Sequence, residues 1–176
     1  MYCTFARFEE AKGLKVDQLQ FKDDEVLVKF KKGKTYQMGE SRFGVMPRVT
    51  GDPVAPVEVL EAYLLRLGNL RGNHENWLFP GIGTNKGVQF SLNKPVSYDY
   101  VARCFKTLVA AVGLVREDGG VFGLHSMRRG AATTAVNAGA SEHAVMKQMR
   151  VMSGGTVRRY ASLDVSVLRG AALAAM

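Results

Sequence analysis

The chain has 176 residues, 47% apolar and 23% charged, the balance of one domain able to bury a core and not of a disordered chain. Its longest apolar runs, such as Leu108 to Val115, are too short to span a bilayer, and no secretory signal pattern opens it. Twenty-four Lys and Arg against sixteen Asp and Glu give a net charge of +8, which points to a polyanionic partner, nucleic acid first and the anionic surface of a membrane second.

Residues 2 to 12, YCTFARFEEAK, read as a short helix stopped by Gly13. It has almost no run-up, as though an earlier helix had been cut away. Short alternating apolar patterns follow at 19–21, 25–30 and 43–49, which predicts a three-stranded antiparallel sheet. The second hairpin is strongly basic: Lys29, Lys31, Lys32, Lys34, Arg42 and Arg48 face the lone acid Glu40. A helix over 56–67 buries Val57, Leu60, Leu64 and Leu67 at three- and four-residue steps. Gly68 to about Pro95 reads as a loop. Its glycine run, GIGTNKG at 81–87, lacks the Lys-Ser/Thr ending of a phosphate-binding P-loop and is taken as plain surface.

Ser97 caps a helix to about Val112 with a buried stripe of Val101, Phe105, Leu108, Val109 and Val112. Cys3 and Cys104 are far apart, without metal-type spacing, and read as small buried apolar residues; no metal or cofactor is expected. After Tyr160 comes a tail with an apolar pattern at Val165, Leu168, Ala172 and Leu173. The expected fold is α+β, mainly α-helical with one small three-stranded antiparallel sheet near the N-terminus.

The chemistry concentrates in GLHSMRRGAATTAVNAGASEHAVMKQMRVMSGGTVRRY, residues 123–160. A helix starting near Leu124 puts His125 and Arg128 one turn apart, able to touch one ligand. Arg offers a planar fork to phosphate, and imidazole exchanges a proton near neutral pH. Alone, the pair reads equally well as a capping His beside a solvated Arg. Arg7 and Glu10 repeat the spacing, and Glu10 can orient the guanidinium. Lys34 lies in a basic turn from which an ammonium can reach a leaving alkoxide. Tyr160 is flanked by Arg158 and Arg159. Forming its phenolate at pH 7 costs about 4 kcal/mol, so a tyrosine nucleophile needs a base or a concentrated positive field.

Four boxes in order then resemble the catalytic domain of the tyrosine recombinases, the phage integrase family. FARFEE (5–10) is similar to its Gly-Leu-Arg-x-x-Glu box, and KGKT (32–35) falls where its hairpin lysine lies. GLHSMRRGAATTAVNAG (123–139) is similar to its His-x-x-Arg box, and MKQMRVMSGGTVRRY (146–160) to its closing Gly-His-x-x-x-x-x-Thr-x-x-Tyr box. The resemblance implies a site-specific DNA recombinase or integrase in which Tyr160 attacks a phosphodiester. Arg7 and Arg128 would clamp the phosphate, His125 would assist proton transfer, and Lys34 would protonate the leaving 5′-oxygen. Lys31, Lys32, Arg129, Arg150, Arg158 and Arg159 would contact DNA.

It further implies double-stranded DNA as partner and no membrane partner, a tetramer on DNA with at most weak association without it, and an intracellular, DNA-associated protein. No metal, cofactor or ATP would be needed. Residues 1–176 would be the catalytic domain without the family's N-terminal DNA-clamping domain, and 161–176 a tail able to dock on another protomer. Departures are Val151 where the family has His or Trp, Arg150 where it has glycine, and Val157 where it has threonine. Val151, which cannot donate a hydrogen bond, predicts chemistry weakened by roughly one to three orders of magnitude unless Arg150 or Lys147 compensates; Val157 is the lesser change. A type IB topoisomerase-like relaxase and a catalytically silent DNA-binding module are the competing readings.

Overall fold

The computed structural model describes residues 3–31, 42–49, 51, 55–71, 77–83, 89–116 and 119–160. Lys32, Lys34 and the tail at 161–176 lie outside them. Helix α1 spans Phe8–Lys12, shorter than the sequence predicts. Phe5 explains the difference, since its φ of 51° is left-handed and no helix runs through it. The extended Arg7 caps α1, and its N–H donates to Glu10 Oε2 at 2.8 Å.

Three strands follow as expected, β1 (Leu19–Phe21), β2 (Glu25–Phe30) and β3 (Arg42–Pro47), antiparallel in the order β1-β2-β3. Strand β2 alternates cleanly, burying Val26, Val28 and Phe30 on one face. These pack with Ala6, Ala11, Leu14, Leu78 and Val57, the last from helix α2 (Pro56–Arg71). The expected stripe of α2 holds: Val57 and Leu67 are buried, and Leu60 and Leu64 pack half-buried on the same cluster.

Two expectations fail here. The stretch to Pro95 is not all loop, because β4 (Pro80–Gly83) and β5 (Gln89–Pro95) form an antiparallel hairpin with an irregularity at Pro80/Gly81. Helix α3 (Tyr98–Ala111) is capped by Ser97 Oγ as predicted, but none of its residues is buried. Leu108 and Val112 are each 59% exposed, and Cys104 is exposed too, against the expectation that both cysteines are buried. The helix touches the rest of the chain by one edge, along a largely apolar cavity of about 470 Å³ bounded by Phe8, Tyr63, Phe79, Val101 and Met127.

The last three helices are α4 (Leu124–Asn137), α5 (Glu142–Met149) and α6 (Gly154–Tyr160). The small side chains of α4 let α5 and α6 approach, and Ala132, Val145, Met149, Val151 and Val157 form a second apolar cluster. Ser141 Oγ caps α5 by accepting from Ala144 N at 3.2 Å. Its far end closes in a Schellman pattern: Arg150 N donates to Lys147 O at 3.0 Å and Val151 N to Met146 O at 3.1 Å. Arg150 sits at the left-handed position of that motif, with φ 56° and ψ 47°.

Candidate active site

The site is assembled at the seam between the two apolar clusters. Glu10 on α1 is its centre, with a side chain only 3% exposed. Its Oε1 accepts from Arg7 Nη1 at 2.9 Å, and its Oε2 from Arg150 Nη2 at 3.0 Å. Arg128 Nη1 stands 3.6 Å from the same Oε2. Burial alone would raise the Glu10 pKa. The Arg150 charge, the Arg7 N–H and the Arg7 charge outweigh it and hold the carboxyl below its usual range. Glu10 is therefore ionised, and three guanidinium groups are organised around one carboxylate.

Their exposures differ. The Arg7 side chain is 25% exposed, so its guanidinium can meet a ligand while Glu10 orients it. Arg128 is buried: it donates to the carbonyl of Phe5 and, at 2.5 Å, to that of Met149. The left-handed turn at Phe5 accompanies this bond and joins α4 to the segment that carries Arg7. The expected direct clamp by Arg128 is thus not displayed here, because its donors hold backbone beneath the surface.

His125 lies on the first turn of α4 and is exposed. Partial desolvation, then the charges of Arg128, Arg7 and Arg129, push its pKa below the usual imidazole value of about 6.5. His125 is therefore mostly neutral at pH 7.

The remaining sequence candidates divide. Arg129 is exposed beside His125. Lys31 is exposed, with Asp17 Oδ2 at 3.6 Å. Arg158 is exposed but bonded to both carboxylate oxygens of Glu142, at 3.1 and 3.0 Å, and Arg159 Nε donates to Gly155 O at 3.2 Å. Tyr160 is the last residue of α6. Arg150 requires a correction: it is fully buried, so it is no surface contact for DNA. Val151 faces inward because the Schellman position after Arg150 packs on the preceding turn, here Met146. Val157 joins it in the second cluster.

Sequence reading missed the partnership of Arg150 with Glu10 and the role of Gln148. The amide of Gln148 accepts from Val45 N at 3.1 Å and donates to Val45 O at 2.6 Å and Cys3 O at 3.1 Å. A detectable signal existed for Arg150: it stands just past a helix end, where a left-handed residue is expected.

The model of the phage integrase family matches residues 1–166. The chain belongs to the phage integrase family. No curated protein sequence matches it. Among solved structures it is similar to the XerH site-specific recombinase bound to palindromic difH substrate, with a TM-score of 0.73 and 21% identity over 97% of this chain and 42% of that one. It is similar to the XerA recombinase, with a TM-score of 0.68 and 20% identity over 96% and 51%. It also resembles the Tn1549 transposon integrase in complex with circular intermediate DNA, with a TM-score of 0.60 and 17% identity over 99% and 57%. These likenesses establish the phage integrase catalytic fold, mainly helical with the small three-stranded sheet. The chain spans about half the length of these relatives. Two positions where the family's boxes carry glycine hold Phe5 and Arg150 here, and both keep a positive φ.

Proposed function

We propose that this chain carries the strand-breaking and strand-joining chemistry of a site-specific DNA recombinase or integrase. The observation that carries the reading is that Arg7 and Arg128 are gathered around the buried Glu10 carboxylate, with exposed His125 one helical turn from Arg128 on α4. In the reaction, the Tyr160 oxygen attacks a DNA phosphorus and the bond to the 5′-oxygen breaks. The phenolic proton is lost and the leaving 5′-oxygen gains one, which yields a 3′-phosphotyrosyl adduct and a 5′-hydroxyl. Attack by a 5′-hydroxyl reverses the step and conserves the bond energy, so ATP is not required.

Arg7 makes the direct phosphate contact, and Arg128 adds its charge from beneath. His125, mostly neutral at pH 7, takes up or returns the proton, and Lys34 serves the leaving oxygen. Lys31, Lys32, Arg129 and Arg159 hold the duplex backbone, and Arg158 joins them when phosphate displaces Glu142. Within this reading, residues 1–176 act as the catalytic domain, a DNA-clamping domain completes the grip, the tail docks on a neighbouring protomer, and four protomers assemble on DNA. The inward Val151 and the engaged Arg128 favour a second reading, a silent DNA-binding module.

The deciding experiment is covalent trapping on a nicked duplex that loses its 5′-hydroxyl fragment after cleavage. Wild type is expected to give an SDS-stable adduct and Tyr160→Phe none, with Arg7→Ala about 10²- to 10³-fold slower than wild type. Absence of adduct from wild type, together with retained DNA binding, would leave the binding module.

A further inference from the structure

Arg150 is a buried cation that the proposed reaction does not use. Its guanidinium donates to Thr4 O at 3.0 Å, Gln148 O at 2.7 Å and Glu10 Oε2 at 3.0 Å, and lies 3.9 Å from the centroid of the Phe30 ring. The sheet leaves it room at Gly44 on β3. A Cβ there would come within 3.1 Å of Arg150 Nη1 and 3.0 Å of Phe30. The residue also tolerates a left-handed backbone, which L side chains rarely adopt. Two local sacrifices, at Gly44 and at φ, thus serve to place one charge beside Glu10.

The charge count explains what that placement does. Glu10, Arg7 and Arg128 alone would leave one net positive charge, because the carboxylate cancels one guanidinium. Arg150 supplies the guanidinium partner on Oε2, while the Arg7 guanidinium uses Oε1. Were Arg150 absent, Arg128, already 3.6 Å from Oε2, is the next cation in reach. Engaging it would draw its donors from Phe5 and Met149 and spend its field on Glu10. We propose that Arg150 is a positioning residue, the counter-charge of Glu10 that leaves the positive field of Arg7 and Arg128 to a phosphate group at the His125 face. The inference rests on the reading that this face receives DNA phosphate.

The test compares wild type, Arg150→Met, Glu10→Gln and the double variant, each checked for folding by thermal melting. Inorganic phosphate is the probe, followed through the NMR shift of the His125 ring, and the adduct rate is measured in parallel. Arg150→Met is expected to bind phosphate about tenfold more weakly, the effect of one charge a few ångströms away. The double variant is expected to recover to within about threefold of wild type. A purely structural Arg150 would leave the double no better than Arg150→Met, and that result overturns the proposal. So does unchanged affinity in Arg150→Met, or a wild type whose His125 ignores phosphate.

Should Arg150→Met fail to fold, Glu10→Gln against the double decides. Glu10→Gln is expected to bind several-fold more tightly, and equal affinities overturn the idea. Phosphate binding in the expected order without any DNA adduct sinks the recombinase reading alone. Adduct formation with unmoved affinities sinks the Arg150 inference alone.

Discussion

At Glu10 a single carboxylate decides the geometry of Arg7, and the same cluster sets the protonation of the exposed residue above it. His125 has a folded pKa below its unfolded value, from partial desolvation and the nearby arginines. The unfolded chain therefore binds more protons in the window between the two values. The stability His125 contributes is present above about pH 6.5 and is lost as pH falls through the folded pKa. NMR titration of the imidazole is expected to show a midpoint below 6.5, moving upward in Arg7→Gln as one repelling cation is removed. A midpoint indifferent to Arg7 would separate His125 from that guanidinium.

Among the elements, β3 is an edge strand of its sheet, and α5 covers it with a side chain. The Gln148 amide offers Val45 both an acceptor and a donor, as a neighbouring strand would. Gln148→Ala is expected to lower stability by about 1–3 kcal/mol, the cost of stranding a half-buried backbone pair, read as a shift in the urea midpoint with unchanged m. This contact is invisible in sequence, since it joins residues about a hundred positions apart. The β1-β2-β3 sheet was legible because alternation registers one buried face, and α4 because its His-x-x-Arg box opens it. The β4–β5 hairpin was not, since Pro80, Gly81, Gly83 and Pro95 carry turn chemistry that tertiary pairing overrides. The α3 stripe misled for the opposite reason. Its period is helical, but amphipathicity says which face prefers burial, not that anything covers it. In the site, the resemblance of the boxes, and not spacing alone, put Arg7, Glu10, His125 and Arg128 together. Burial was not legible, so Arg150 passed for a surface cation.

At the scale of the molecule, the described residues form two apolar clusters, one of α1, the sheet and α2, the other of α4, α5 and α6. Besides Phe5, which packs on the second cluster, what joins them at the site is polar: Arg128 to Phe5 O, Arg150 to Thr4 and Glu10, and Gln148 to Cys3 and Val45. Non-directional apolar contact tolerates sliding, whereas these bonds are satisfied in one relative placement of the halves. The placement of α4, which carries His125, against the segment that carries Arg7 is therefore fixed by the same bonds.

The Arg150 contact with Glu10 spans 140 positions of sequence and strips water from two charges as it closes. Loop closure and desolvation both defer such a step until the helices and the sheet have formed. It belongs to the descent after the folding barrier, so it acts as a bolt on the exit rather than a guide on the way in. Arg150→Met removes one of the two guanidinium groups hydrogen-bonded to the buried Glu10 and leaves Arg7 as its partner, at a cost of about 3 kcal/mol, the low end for a broken buried pair. In stopped-flow kinetics nearly all of that is expected in the unfolding limb, on the order of a hundredfold faster or more, with the folding rate within a few-fold of wild type. An equal loss on the folding limb would mean that the seam forms early and guides assembly.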